Sequence, residues 1–144
     1  MANAVKWSAP VTTADLLTTE LNALASATLS AASAEQDNAT NKDRWADFVL
    51  NVTYGTNPAA GGHVALYMTV ALDGSNHSDV QRDMTSMLVG AFPLRATTVA
   101  QRVPLSGIRL PPYKVKFFVD NQAGQAMSAS GHTVKWGRYN EEIQ

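Results

Sequence analysis

From Trp45 onward the apolar residues recur at every second position, and that period restricts what the chain can form. Ala46, Phe48, Leu50, Val52 and Tyr54 share one face of the first run, with Asp47, Asn51 and Thr53 opposite them beside Trp45 and Val49. Successive side chains of a strand point to opposite faces, so a run of this kind is a strand with one buried side. Val64, Leu66, Met68, Val70 and Leu72 repeat the pattern, as do Tyr113, Val115, Phe117 and Val119 against Lys114 and Lys116. Shorter runs at 86–92, 96–103, 125–129 and 132–139 complete the set. Turn residues separate them: Gly61-Gly62, Asp73-Gly74, Pro111-Pro112 and Ser130-Gly131. Pro104 reads as a strand boundary, because proline cannot donate to a ladder. One-sided strands joined by short loops, with no helices between them, imply an all-β, antiparallel β-sandwich or jelly-roll-like fold. A chain of 144 residues buries enough surface for one core, and it must, since it has 0 cysteines to staple it.

The first 41 residues read differently. Residues 1–12 contain Trp7 and Pro10 but no period, and are expected to be an extended arm that orders only against a partner. Thr12 or Thr13 can cap a short helix with Asp15 in its first turn. Leu17, Leu21 and Leu24 then fall on one stripe, facing the β-domain or a neighbouring copy. The small, polar run 25–41 reads as a loop or frayed linker leading into a β-sandwich domain at 42–144.

Charge and motif content narrow the function classes. Lys+Arg number 11 against 12 Asp+Glu, which argues against binding a nucleic-acid backbone through clustered cations. No segment approaches the roughly 18 apolar residues of a membrane span, and the first ten residues lack the apolar run of a secretory signal. His63, His77 and His132 match no metal motif and read as solvated loop residues. Asp73, Asn76, His77, Asp79 and Asp83 form the densest group of oxygen and nitrogen donors, but their spacing fits no calcium loop, so neither a metal nor a cofactor is expected. Among the acids, Asp47 is the main one placed inside a strand, no second carboxylate is set against it, and no nucleophile elbow occurs. The chain is therefore not expected to be an enzyme. The aromatic residues are more informative. Trp136, Arg138 and Tyr139 lie together near an acidic end, Glu141-Glu142, and aromatics with arginine are typical interface anchors. Trp136 also shares a strand face with Val134, which suits burial equally well. The candidate interface residues are Trp7, Leu17, Leu21, Trp136, Arg138 and Tyr139.

Four stretches, DLLTTELNALAS (15–26), WADFVLNVTYGTNPAAGGHVALYMTVALDGSN (45–76), LVGAFPLRATTVAQRVPLSGIRLPP (88–112) and YKVKFFVDNQAGQAMSASGHTVKWGRYNEEI (113–143), carry a resemblance over nearly the whole chain. Together they resemble small structural proteins of tailed bacteriophages, of the capsid decoration (cement) kind with a jelly-roll-like fold. That resemblance implies a clamp on the outer capsid surface of the virion, made in the host cytoplasm. Its partners would be the phage major capsid protein and further copies of itself, as a dimer or trimer. The alternative is a carbohydrate-binding adsorption module on a head fibre or tail, with a surface glycan as ligand.

Overall fold

Two antiparallel sheets enclose the core. The computed structural model describes residues 5–11, 13–82 and 86–143; Thr12 and Asp83, named above, lie outside that range. The first sheet runs β2 (Ala14–Leu17), β10 (Thr133–Tyr139), β5 (Trp45–Val52), β8 (Gln101–Arg109). The second runs β3 (Thr28–Leu29), β9 (Lys114–Gln122), β6 (His63–Ala71), β7 (Met87–Pro93), with β4 (Gln36–Asp37) also paired to β9. A separate ribbon joins β1 (Val5–Trp7) to β11 (Glu141–Ile143). The helical content is slight: a 3-10 turn at Thr19–Leu21 and the four-residue α1 (Asn38–Asn41). The chain is an all-β antiparallel sandwich, as its period demands.

The alternating positions meet between the sheets. Phe48, Leu50 and Val52 of β5 and Val134 and Trp136 of β10 pack against Leu66 of β6 and Val115, Phe117 and Val119 of β9. Phe48, Phe117 and Trp136 form an aromatic knot, with centroids 5.3 Å apart for Phe48–Phe117 and 5.4 Å for Phe117–Trp136. Each such ring pair is worth about 0.5–1.5 kcal/mol beyond the area it buries.

The N-terminal third departs from expectation. Leu17, Leu21 and Leu24 do not form a helical stripe: Ala14–Leu17 is a strand on the edge of β10, followed by the 3-10 turn. A lone helix of about a dozen residues is marginal in water, whereas an open sheet edge supplies backbone partners at once. The register shifts between Val134 and Lys135, so Leu16 is an extra residue, and a bulge of that kind lets Leu16 and Leu17 both turn inward. Positive φ at Ala23 (52°) and Ala27 (59°) bars helix beyond the turn.

Nor is 25–41 a linker. Ser30 and Ser33 lie against β9 and replace strand carbonyls there: their hydroxyls accept the N–H groups of Val119 and Phe117, each at 3.0 Å. Their own N–H groups donate to the carbonyls of the same two residues. The first 41 residues thus supply four strands rather than an appendage. The arm, too, has a partner within the chain, since Ser8 N–H donates to Asn140 O and Val11 N–H to Arg138 O.

Two further strands differ. β8 begins only at Gln101 and runs through Pro104, which an edge strand tolerates because one side of it needs no donor. Residues 125–129 form no strand beyond an isolated bridge between Tyr54 and Met127.

On the outer face of the second sheet, Tyr67 and Phe118 stack at 5.3 Å. The β6–β7 connection is tied to that sheet. Arg82 holds the buried carboxylate of Asp120 (Nε to Oδ2 2.6 Å) and the Ala27 carbonyl, and His77 meets Glu35 at 2.8 Å.

Candidate functional site: an aromatic corner beside Asp47

The strand period divides the aromatic–arginine cluster expected at the end of the chain. Trp136 points between the sheets and is 3% exposed, so it belongs to the core and leaves the interface set. Arg138 lies on the same side, its guanidinium 4.9 Å above the Trp136 ring and paired to Asp43 at 3.0 Å. Leu17 and Leu21 are fully buried in the same core, which removes them from any surface as well. Of the remaining three, Arg138 is held by its ion pair with its side chain 19% exposed, while Trp7 and Tyr139 stay where a partner can reach them.

These two meet on the outer face of the first sheet. Tyr139 pairs across the ladder with Trp45, two positions from Asp47 on the same face of β5. Trp7, carried by β1, stands on this pair: its ring is perpendicular to Tyr139 (82°, 5.3 Å) and to Trp45 (86°, 6.4 Å). Edge-to-face contacts of this kind fit the ring quadrupoles, so the corner is held without closing over. Trp7 stays 59% exposed, and its ribbon neighbours Val5 and Ile143 face solvent at 66% and 74%.

Asp47 is aimed by a bulge. β5 and β8 pair Ala46 with Ile108 and Phe48 with Leu105, leaving Ser106 and Gly107 opposite Asp47. Gly107 adopts φ +71°, a conformation costly for any side chain, and its N–H donates to Asp47 Oδ1 at 2.8 Å. The Tyr139 hydroxyl donates to the same oxygen at 3.2 Å. Partial burial, then the Asp47 charge, raise the Tyr139 phenol above its ordinary value, so it remains a donor at neutral pH.

A groove of about 410 Å³ lies between Trp7, Ser8, Pro10, Asp47 and Tyr139. It continues into a second of about 460 Å³ on the outer sheet face, past Val49, Pro104 and Gly137 towards Arg102. Trp45, Asp47 and Gly107 were not among the expected site residues. The available signal was Asp47 itself, an acid inside a strand with an aromatic residue two positions before it on the same face.

The other candidates take up structural roles. His132 is 2% exposed rather than solvated: its Nδ1 accepts from Thr53 N–H at 3.3 Å and its Nε2 faces Ser128 O at 2.8 Å. Asp73 turns its carboxylate onto the Ser75 and Asn76 N–H groups, closing its own loop. Among the described residues, no three His, Cys, Asp or Glu side chains converge as a metal site would require. No described helix is long and apolar enough to cross a membrane.

No family model matches the chain, and no curated protein matches it.

Proposed function

We propose that the chain is a non-enzymatic structural protein of a tailed-bacteriophage virion: a capsid decoration protein that binds the outer capsid surface and stabilises contacts between major capsid subunits. The observation that carries this reading is the β1–β11 ribbon, which holds Val5, Trp7 and Ile143 exposed outside both sheets. A two-stranded ribbon is marginal in water by itself, and an exposed tryptophan on it is a favoured interface anchor. The pattern resemblance over nearly the whole chain supplies the kind of partner. Near-neutral charge suits contact with protein rather than packaged DNA. A clamp that binds the assembled shell better than its separated subunits stabilises the shell by mass action, once per copy. Shells place such sites around symmetry axes, so copies would meet as dimers or trimers.

The test is to add purified protein to capsids that lack it. Saturable binding with a higher rupture temperature supports the reading, whereas capsids that neither bind nor gain stability refute it.

A second reading, carbohydrate adsorption, is favoured by one observation: exposed Trp7 and Tyr139 line a groove beside Asp47. Binding of a purified surface glycan in that groove, with no binding to capsids, would select it.

A further inference from the structure

The geometry points to the Trp7–Tyr139–Asp47 corner as a pocket for a basic side chain, lysine or arginine, presented by a protein partner. The inference rests on the capsid-binding reading for the identity of that partner, while the chemistry is local. Three of the cations nearby are already committed, and Arg102, opposite Asn51 at the far end of the adjoining groove, forms no ion pair with Asp47. Arg138 is paired to Asp43, Lys135 to Asp15 at 2.9 Å and Arg44 to Glu141 at 3.6 Å. Asp47 has no cation against it among the described residues. Its Oδ1 is fixed by Gly107 N–H and the Tyr139 hydroxyl, while Oδ2 accepts no hydrogen bond from them. The carboxylate is therefore oriented in advance, its charge uncompensated, beside two aromatic rings.

Ring geometry favours a cation over a sugar. A pyranose stacks best on one flat, open face. Trp7 and Tyr139 instead stand 82° apart and make a corner. A compact ammonium or a planar guanidinium fits a corner, since it touches one ring face while reaching the acid, and tryptophan gives the strongest cation–π contact of the aromatic residues. The adjoining apolar strip of Val49, Pro104 and Gly137 gives the flanking chain of the partner a surface to lie on.

The probe pair is Nα-acetyl-lysine-N-methylamide and Nα-acetyl-norleucine-N-methylamide, similar in shape and differing in charge. Each is titrated into ¹⁵N-labelled protein at fixed ionic strength. The lysine compound should shift the Trp7 indole and Gly107 amide signals saturably, and the norleucine compound should bind at least about five-fold more weakly, the range cation–π contacts supply. Asp47→Asn keeps an oxygen for Gly107 and Tyr139 and removes only the charge. It should weaken lysine binding about two- to five-fold, the range of a solvent-accessible ion pair, while leaving signals from Phe48 and Trp136 in place. Equal shifts from both compounds, no shift, or an Asp47→Asn protein that binds lysine as before would each overturn the pocket. A neutral monosaccharide moving the same signals while the lysine compound is silent would assign the corner to glycan instead. Capsid binding separates the two claims. Capsids that bind while the lysine probe fails defeat the pocket alone. A lysine response without capsid binding defeats the capsid reading alone.

Discussion

Trp7 stands at right angles to Tyr139, centroids 5.3 Å apart, so a residue from the first strand and one from the tenth build a single surface feature. Neither end of the chain makes it alone. The contact places an exposed indole where replacing it tests binding separately from folding. Trp7→Ala removes two edge-to-face contacts and should lower stability by about 1–2 kcal/mol. Loss of an interface anchor costs at least about 2 kcal/mol of affinity, roughly thirty-fold. Melting and capsid binding measured on one preparation should show that contrast.

Trp136→Ala should behave in the opposite way. The ring is enclosed by Phe48 and Phe117, and its removal should cost about 3–5 kcal/mol in chemical denaturation. Leu21→Ala, at 0% exposure, should cost about 2–5 kcal/mol. A loss below half a kcal/mol at either site would contradict the packing described above.

Much of this was legible in the sequence, and the misses have physical causes. The two-residue period of β5, β6 and β9 needs only local sterics and a buried face, and so it carried the fold. Leu17, Leu21 and Leu24 satisfy a helical spacing and equally satisfy a bulged strand followed by a turn. Only the vacant edge of β10 decides between them, and that edge is far away in sequence. Ser30 and Ser33 looked like linker because their use, replacing carbonyls against Phe117 and Val119, depends on β9. The same period, applied strictly, separates Trp136 and Arg138 from Tyr139. Asp47 was visible as an acid in a strand, but its aim was not, because the bulge at Gly107 belongs to another strand.

Gly107→Ala tests that bulge. No neighbouring atom blocks an added methyl group, so the cost is conformational, roughly 1–2 kcal/mol at φ +71°. The Gly107 N–H to Asp47 bond should loosen with it, and the corner should lose its lysine response. Amide hydrogen exchange at residue 107, compared between the two proteins, reports the change directly.

Acid should weaken the fold through three carboxylates. Glu35 is held below its ordinary value by hydrogen bonds from His77 and then Lys114, Asp37 by Thr40, and Asp73, at about 2, by the Asn76 and Ser75 N–H groups. A depressed folded-state pKa gives stability that is complete above the unfolded value and is lost as pH falls through the folded one. Their contribution should therefore be intact at pH 6 and fade between the ordinary carboxylate range and about pH 2. Denaturation midpoints at pH 6, 4 and 2.5 should fall in that order, and the triple amide variant should show a shallower decline.

The most direct test of the capsid reading is to look for the chain in gradient-purified virions of the tailed phage that this reading takes as its source, with its copy number set against the major capsid subunit by quantitative mass spectrometry. A decoration protein should be present in many copies per particle, in a simple ratio to the capsid subunit. Absence from the particles, or a handful of copies as a tail or neck component would give, would contradict it.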